Sequence, residues 1–318
     1  MKNVVLFGNG FNRLNGGISW EELLKKITTE PLIANISNTL QYEAIILSSD
    51  YYNYEPLVTS DGYQIITADQ KQLNVIDKPV EENIKNRIKD ELEKFAPNRI
   101  YQRISLLDIE HYITTNYDHT LYKQLYELGF KESNSNNTEK LYSIRRKFCL
   151  KNKDGKEKYI WPMHGTIQYP KSIMLGLDHY CGSIGKIDNY IKGNYEYGKD
   201  VKLDGLIKRL KNNKCDPPLS WIDLFFTHNI HIIGIGLYQD EIDLWWILNK
   251  RKRYIRQYGD EVSINNKIYY YGDVEDNMRQ LLNRLGVEVR QAPPSCQTSH
   301  EKQYDHFIDE IESHAIDE

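Results

Sequence analysis

The sequence predicts an α/β fold, in which a doubly wound and mainly parallel sheet carries an inserted, mostly helical smaller module. Two observations indicate this fold: short apolar runs alternate with amphipathic helical patterns, and glycines stand directly after several of these runs. The 318 residues correspond to roughly two domains of average size or to one large domain. Charged residues make up 27% and hydrophobic residues 40%, which is ordinary for a globular protein and argues against wholesale disorder.

The first part of the chain begins with a buried strand over residues 3–7, which ends in a glycine turn at residues 8–12. Ser19 is followed three residues later by Glu22, and this capping-box pattern predicts that a helix begins there. A further helix is predicted over residues 82–95, where apolar residues recur at helical spacing before a proline.

The centre of the chain contains a β-branched and aromatic run over residues 109–117, which predicts a second buried strand. The helix that follows it is expected to end at Gly129. Residues 141–150 and 156–164 predict two strands of a hairpin, because an Asp-Gly turn separates them. Residues 170–220 are expected to form an inserted, mainly helical piece.

The last part of the chain resumes the α/β alternation. Residues 229–236 and 267–273 predict strands, each followed by a helical pattern. Gly286 is expected to end the second of these helices, and residues 287–292 predict a short final strand. Because glycines mark the strand ends, the sheet is expected to be Rossmann-like.

Composition and charge argue against several classes of protein. Lysine and arginine total 41 against 45 acidic residues, a formal charge of −4, which is unlike a general nucleic-acid binder. No apolar run approaches the roughly 20 residues that span a bilayer, and the first residues lack the pattern of a signal peptide. We therefore expect a cytoplasmic protein that does not contact the membrane.

The cysteines and histidines predict no metal site. The four cysteines lie more than thirty residues apart, and none belongs to a CxxC pair. A zinc ribbon or redox dithiol is therefore not expected, and a chain without an export signal does not suggest a disulfide framework. The histidines show neither HxxxH nor HExxH spacing.

Four predicted strand ends carry residues suited to ligand binding. They are residues 8–12 (GNGFN), residues 114–118 (TTNYD), the His164-Gly165 pair and residues 234–241 (GIGLYQDE). Ligands in open α/β sheets bind beyond the carboxyl ends of the strands, so we expect the four motifs to line one cleft. The glycine turn is expected to leave backbone N–H groups free for a phosphate.

Each motif also has a purely structural explanation. The glycine turn can serve packing alone, and Arg13 stands where the GxGxxG motif has its third glycine. His164 can be a core histidine with satisfied hydrogen bonds. Asn116 and Asp118 can cap the helix that follows them.

Taken together and in this order, the four motifs resemble the sirtuin superfamily. More narrowly, they are similar to its bacterial sirtuin-like branch, whose members are NAD-hydrolysing effectors of anti-phage defence. The chain departs from the deacylating sirtuins in two respects. It lacks their paired CxxC motifs, and residues 13–20 (RLNGGISW) stand where those enzymes have a loop of the GIPDFR type. These departures speak against lysine deacylation.

The resemblance implies roles for individual residues in a cleft that takes NAD as a substrate. Asn116 would hold a water or a ribose hydroxyl, His164 would act as the base, and Asp118 would orient the carboxamide. The glycine turn would receive the pyrophosphate, and the 234–237 strand end would close over the adenosine half. The implied NAD-binding residues are Gly8, Asn9, Gly10, Phe11, Asn12, Thr115, Asp118, Gly234, Gly236 and Leu237.

The same resemblance implies a domain organisation. A sirtuin-like NAD-binding catalytic domain is expected over residues 1–292, with helical insertions at about 30–100 and 170–220. A tail helix is expected over residues 293–318.

The expected function is that of an NAD glycohydrolase, which converts NAD to nicotinamide and ADP-ribose and needs no metal. Unregulated NAD loss would kill the host, so we expect a trigger from a partner protein, a nucleotide signal or self-assembly into a homo-oligomer or hetero-complex. Two alternatives remain open. The same cleft could serve a deacylase or ADP-ribosyl transferase, or it could sense NAD or ADP-ribose without turnover.

Tyrosine is unusually frequent, with 24 tyrosines against 8 phenylalanines. Tyr117 and the tyrosines at 269–271 stand at or near predicted strand ends, where a ring could stack on a base. The tyrosines at 51–54 and 194–197 lie outside the predicted strands, so surface or interface roles are expected there.

Overall fold

The central strand of the structure, a computed structural model, is β1 (Asn3–Phe7). The structure describes residues 1–28, 31–48, 70–134, 139, 141–197 and 201–316. Within these residues, the remaining strands of an eight-stranded sheet are β2 (His111–Thr114), β3 (Lys131–Glu132), β4 (Phe148–Lys151), β5 (Glu157–Pro162), β8 (Asn229–Ile233), β9 (Ile268–Tyr271) and β10 (Val287–Arg290). A separate hairpin is formed by β6 (Glu196–Tyr197) and β7 (Val201–Lys202).

Helices surround the sheet. They are α1 (Gly10–Arg13), α2 (Trp20–Ile27), α3 (Asn38–Ser48), α4 (Gln70–Leu92), α5 (Arg99–Leu106), α6 (Thr120–Glu127), α7 (Leu177–Lys192), α8 (Leu206–Lys211), α9 (Trp221–Thr227), α10 (Ile242–Tyr258), α11 (Asp276–Leu285) and α12 (His300–Ile316). Of the helices in the described residues, none combines the length with the apolar composition that crossing a bilayer requires.

The strand order is β10-β9-β8-β1-β2-β5-β4-β3. Neighbours are parallel from β10 through β5, whereas β4 and β3 are antiparallel to the strands beside them. β1 lies between β2 and β8, so the chain winds outward from β1 in both directions. This arrangement confirms the predicted doubly wound α/β fold and places a switch point at the carboxyl end of β1.

Alternation along β1 separates the core into two layers. Val4 and Leu6 pack into the core on one face of the sheet, and Val5 and Phe7 pack into the core on the other face. Successive side chains of a strand point to opposite faces, so a strand covered on both sides needs apolar residues at every position. The continuous apolar run at residues 3–7 follows from this double burial.

A third core belongs to helices α2, α3 and α4. It contains Leu24, Tyr42 and Ile88, and it also includes Ile173 and Leu175 from the segment that follows β5. This shared core attaches the α2–α4 helices beside the carboxyl edge of the sheet.

Most of the predicted local features are confirmed. Ser19 and Glu22 form the capping box of α2, and Gly286 ends α11 with a left-handed φ of 80°. β4 and β5 form the predicted hairpin. The helix predicted over residues 82–95 is longer at its start and shorter at its end, because α4 runs from Gln70 to Leu92.

One expectation about the tyrosines is wrong. Tyr195 is not at the surface: it is only 3% exposed, packs edge-on against Tyr190 and donates a hydrogen bond to Glu139. The polar group of a tyrosine can be buried when it finds an acceptor, and sequence alone did not show that Glu139 would be near. The tyrosines at 51–54 lie outside the described residues.

A buried ion pair joins the helices of the 170–220 region to α9. Arg209 on α8 makes two contacts with the carboxylate of Asp223, at 3.0 and 3.1 Å, and both residues are almost fully buried. Tyr190 on α7 donates to the same carboxylate at 2.8 Å. Three helices therefore depend on one buried negative charge.

We predict that Asp223→Asn lowers the free energy of unfolding by about 3–5 kcal/mol, because it leaves the Arg209 guanidinium buried without its counter-charge. Urea unfolding followed by circular dichroism measures this. Asp204→Asn is the matched control, since Asp204 pairs with Lys208 at the solvent-exposed surface of the same region. The control should unfold at the wild-type urea concentration; equal behaviour of the two variants would contradict the prediction.

Candidate functional site

A cleft of about 770 Å³ lies beyond the carboxyl edge of the sheet. It is bordered by the segments that follow β1, β2, β5, β8 and β9, together with parts of α2, α3 and α12. Nine of the twelve predicted site residues line it: Gly8, Asn9, Gly10, Thr115, Asn116, Asp118, His164, Gly234 and Gly236. The four motifs therefore converge, as expected for strand ends on either side of a switch point.

The glycine turn is used differently from what the sequence suggests. The N–H of Gly10 is not free, because it donates to the carbonyl of Gly234 at 2.9 Å. A Cβ at Gly10 would lie 2.8 Å from that carbonyl oxygen and 2.4 Å from the hydroxyl of Tyr304. Glycine is thus required at this position because the turns after β1 and β8 touch each other.

The other three predicted residues lie outside the lining of the cleft. Phe11 is fully buried and stacks on Phe7, with ring centroids 5.6 Å apart. Leu237 is 2% exposed and packs in a sheet core. Asn12 is 5% exposed and uses its amide within the protein. These three side chains pack behind the residues that line the cleft and do not face its interior.

A hydrogen-bond network ties Asn116 to the glycine turn. The Asn116 amide nitrogen donates to the Tyr101 hydroxyl at 3.4 Å, and that hydroxyl donates to Asn12 at 2.7 Å. The Asn12 amide in turn donates to Asn9 at 3.0 Å and to Asp118 at 2.8 Å. A buried network of this kind limits the orientations that the Asn116 side chain can take.

Asp118 combines a structural role with its position in the cleft. One carboxylate oxygen accepts from the backbone N–H of Thr120 at 2.9 Å, which satisfies a free N–H group at the start of α6. The other oxygen accepts from Asn12. The capping explanation for Asp118 is therefore correct, and it is compatible with a place in the lining.

His164 is 2% exposed and lies between two carboxylates. Its Nε2 is 3.0 Å from both oxygens of Asp243, and its Nδ1 is 4.0 Å from Oε2 of Glu241. Burial by itself would lower the pKa of the imidazole, but the two carboxylates outweigh burial and raise that pKa above its usual 6.5.

Glu241 is the acid of this group that faces the cleft. Its Oε2 is buried and has no hydrogen-bond partner in the protein. Burial raises the pKa of Glu241, and His164 opposes that rise. Acids in the first turn of a helix are commonly explained by the helix dipole, although the acidic pair Asp240-Glu241, close after a glycine-broken strand, could have indicated a site.

The ligand atoms of His164, Glu241 and Asp243 lie within 4.8 Å of one another, and in the described part of the chain no other group of this kind is found. The three could together hold a cation. The histidine spacing could not predict this group, because its members come from two distant segments. Hydrogen bonds already pair Asp243 with Nε2, so we interpret the group as a histidine flanked by carboxylates.

Aromatic side chains form the walls of the cleft. The edge of Tyr180 packs on His164 with centroids 5.4 Å apart, and Trp20 lies 5.7 Å from Tyr117. Tyr117, Tyr270 and Tyr271 line the cleft, as expected from their strand ends, whereas Tyr269 does not. Trp20, Tyr180 and the α12 residues His300, Gln303 and Tyr304 also line the cleft, although no sequence motif pointed to them.

The backbone conformation and close packing at position 165 explain why a glycine follows His164. The φ of Gly165 is +95°, and a Cβ there would lie 2.1 Å from the backbone oxygen of Ser172. His164 in turn accepts a backbone hydrogen bond from Met174 at 2.9 Å. The chain after β5 therefore folds back tightly onto the His164-Gly165 pair.

We predict that Gly165→Ala lowers the free energy of unfolding by at least about 2 kcal/mol, because the methyl group meets backbone and φ is unfavourable. Gly185→Ala on α7 is the control: nothing lies within 4 Å of its Cβ. It should be neutral or stabilising by about 0.5–1 kcal/mol. Thermal and urea unfolding of the two variants and the wild type measure this. A Gly165→Ala protein as stable as the wild type would contradict the close packing of the segment after β5 on Gly165.

Comparison with protein families finds a match to the SIR2-like domain over residues 110–289. This range covers more than half of the chain and includes Asn116, His164, Glu241 and Asp243. A comparison with curated proteins gives no match. The chain therefore belongs to the SIR2-like domain family, whose members are NAD-utilising proteins of the sirtuin superfamily.

Proposed function

We propose that this protein is an NAD glycohydrolase, which cleaves the bond between nicotinamide and ribose and releases ADP-ribose. The observation that carries the proposal is the convergence of Asn116 and His164 on one cleft, beside the glycine turn of β1. Its volume of about 770 Å³ lies within the usual range of ligand clefts.

The reaction needs a base and a positioned water more than it needs an acid. Nicotinamide leaves as a neutral group, and the ribose passes through an oxocarbenium-like state, as in other glycoside cleavages. A water then attacks the anomeric carbon and loses a proton. His164 supplies a base in the cleft. Asn116 supplies an amide that can hold the water or a ribose hydroxyl, and Tyr101 limits its orientation.

The rest of the cleft suits a dinucleotide. Arg13 lines it next to the glycine turn, and its guanidinium can pair with the pyrophosphate. The Gly10 N–H is already bonded to Gly234. The Arg13 guanidinium would therefore contribute more to binding the pyrophosphate than the backbone N–H groups of the glycine turn. Trp20 and Tyr117 offer aromatic surfaces on which a base can stack.

Water is the acceptor that the residues favour over a lysine peptide. The four cysteines lie at separate places and form no disulfide, and within the described residues none of them joins a group with metal-ligand geometry. The zinc module that helps to build the peptide cleft of deacylating sirtuins is therefore not supported here. Hydrolysis remains the simplest outcome of a cleft that admits NAD and water.

In the cell, we propose that the protein is a gated cytoplasmic effector of bacterial anti-phage defence that depletes NAD during infection. Constitutive NAD loss would kill the host, so the activity requires a trigger. A partner protein, a nucleotide signal or self-assembly could supply it. Full activity of the purified chain without any trigger would contradict the gating.

We predict that His164→Ala and Asn116→Ala each abolish NAD cleavage while the protein stays folded. Chromatography measures the nicotinamide released from NAD, with circular dichroism as the folding check. His306→Ala is the matched control, because His306 lies on α12 outside the lining of the cleft. Wild-type turnover by either cleft variant would refute these roles.

The same assay separates the alternatives. Nicotinamide release without an acceptor indicates hydrolysis, and release that depends on an acetylated peptide indicates deacylation. No release, with or without extracts of phage-infected cells as a source of trigger, would favour a sensor that binds NAD or ADP-ribose without turnover.

The pH dependence has a predicted sign. Because the flanking carboxylates raise the pKa of His164, the neutral imidazole that can accept a proton becomes abundant only above pH 6.5. We therefore expect kcat/KM for NAD to rise as the pH increases beyond 6.5 and to fall below it. Initial rates between pH 5.5 and 9 in constant ionic strength measure this. A rate that falls over the range above pH 6.5 would contradict His164 as the base.

A further inference from the structure

Asp243 lies against one of the two ring nitrogens of His164. It is fully buried near the start of α10, and both of its oxygens lie 3.0 Å from Nε2. Its Oδ1 also accepts the backbone N–H of Leu244 at 2.9 Å. An ionised carboxylate only accepts hydrogen bonds, so Nε2 must carry the hydrogen in this contact. In the neutral imidazole, Nδ1 is then left as an acceptor.

The Nδ1 atom faces an oxygen that has no partner. Glu241 Oε2 is buried, lacks a hydrogen bond and lies 4.0 Å from Nδ1. That distance is too long for a direct hydrogen bond. A water oxygen could lie about 2.8 Å from both Nδ1 and Oε2. The angle Nδ1–O–Oε2 at that water would be about 90°, which allows it to donate one hydrogen to each atom. A buried polar atom without a partner in a cleft indicates a place for a ligand or water.

Acidic side chains and neutral tyrosines surround the gap between Nδ1 of His164 and Oε2 of Glu241. Burial is the main cause of the raised pKa of Glu241; His164 opposes the rise, and Asp243 and Asp240 add to it. Tyr117 and Tyr180 face the same acids, and burial holds their pKa values above the usual range, so they stay neutral. A proton that reaches His164 is therefore stabilised by carboxylates on both sides of the ring.

We propose that Glu241 is a second catalytic residue, which clamps the attacking water together with Nδ1 of His164, and that Asp243 is the positioning residue that keeps Nδ1 free for it. This inference rests on the proposed NAD glycohydrolase activity. Glu241 is the last residue of the fourth motif and had no role assigned to it, and Asp243 lies outside all four motifs.

The hydrolysis exchanges the C1′–N bond of NAD for a C1′–O bond. The C1′–N bond of NAD breaks and its electron pair stays on the nicotinamide nitrogen, while the water oxygen forms the new bond to C1′. The proton of that water moves to Nδ1 of His164, which becomes an imidazolium between Asp243 and Glu241. The imidazolium then releases the proton to solvent, so that NAD⁺ and water give nicotinamide, ADP-ribose and H⁺.

The kinetic test compares wild type, Asp243→Asn, Glu241→Gln and the control Asp188→Asn in the full-length protein, with infected-cell extract as the trigger and both with and without EDTA. An asparagine can donate to Nε2 and thereby favour the wrong tautomer, so Asp243→Asn should lower kcat about 10²–10⁴-fold. Glu241→Gln keeps the shape and should lower kcat roughly 10–10²-fold. KM should change less than about threefold in both. Asp188 pairs with Lys250 outside the cleft, and its variant should match wild type.

A second measurement does not depend on activity. Long-range ¹H–¹⁵N NMR of histidine-labelled protein reports the tautomer and the titration midpoint of His164, whose signal is identified by its loss in His164→Ala. We expect the Nε2–H tautomer and a midpoint above 6.5 in wild type, and a lower midpoint with loss of that tautomer in Asp243→Asn.

The two arms separate the possible failures. If the wild type cleaves NAD but Glu241→Gln and Asp243→Asn keep wild-type kcat, the clamp is overturned and the glycohydrolase stands. Activity that EDTA abolishes would also overturn it in favour of a cation at this group. If the wild type releases no nicotinamide even with infected-cell extract, the proposed function and the water role both fall, and NMR still decides the Asp243 contact.

Discussion

The contact between Gly10 and Gly234 is the constraint on which the position of the cleft depends. β1 and β8 pair side by side, so the chain must turn away from both strand ends within a small volume. The Gly10 N–H donates to the Gly234 carbonyl, and Gly234 has a φ of +69°. Because neither residue has a Cβ, the two turns touch, and the space beyond them stays open. The motifs after β2 and β5 then border the same space.

Buried charge has two different arrangements in this protein. Arg209 and Asp223 form a close ion pair, with a hydrogen bond from Tyr190 to the same carboxylate, and together they connect three helices. At the cleft the charged groups are farther apart, because the buried Oε2 of Glu241 lies 4.0 Å from Nδ1 of His164 and has no hydrogen bond. Polar groups inside proteins are normally paired, so an unpaired one beside a histidine points to a place where something else binds.

Local features of the fold could be predicted from the sequence because short-range interactions produce them. The Ser19 capping box depends on residues three positions apart, and the left-handed end of α11 requires only a glycine at Gly286. The apolar run of β1 reflects burial on both faces of the sheet. Features that depend on distant residues, such as the burial of Tyr195 against Glu139, were not predictable in this way.

Sequence patterns were enough to predict that strands alternate with helices and that Asn116, His164 and the glycine turns lie at strand ends, which parallel strands bring to one edge of the sheet. What surrounds these residues follows from the tertiary structure. It placed Glu241 and Asp243 on opposite sides of the His164 ring, and it brought Tyr304 from the last helix onto Gly10. Such contacts join residues up to almost 300 positions apart, and no local pattern records a distance between segments that meet only when the chain has folded.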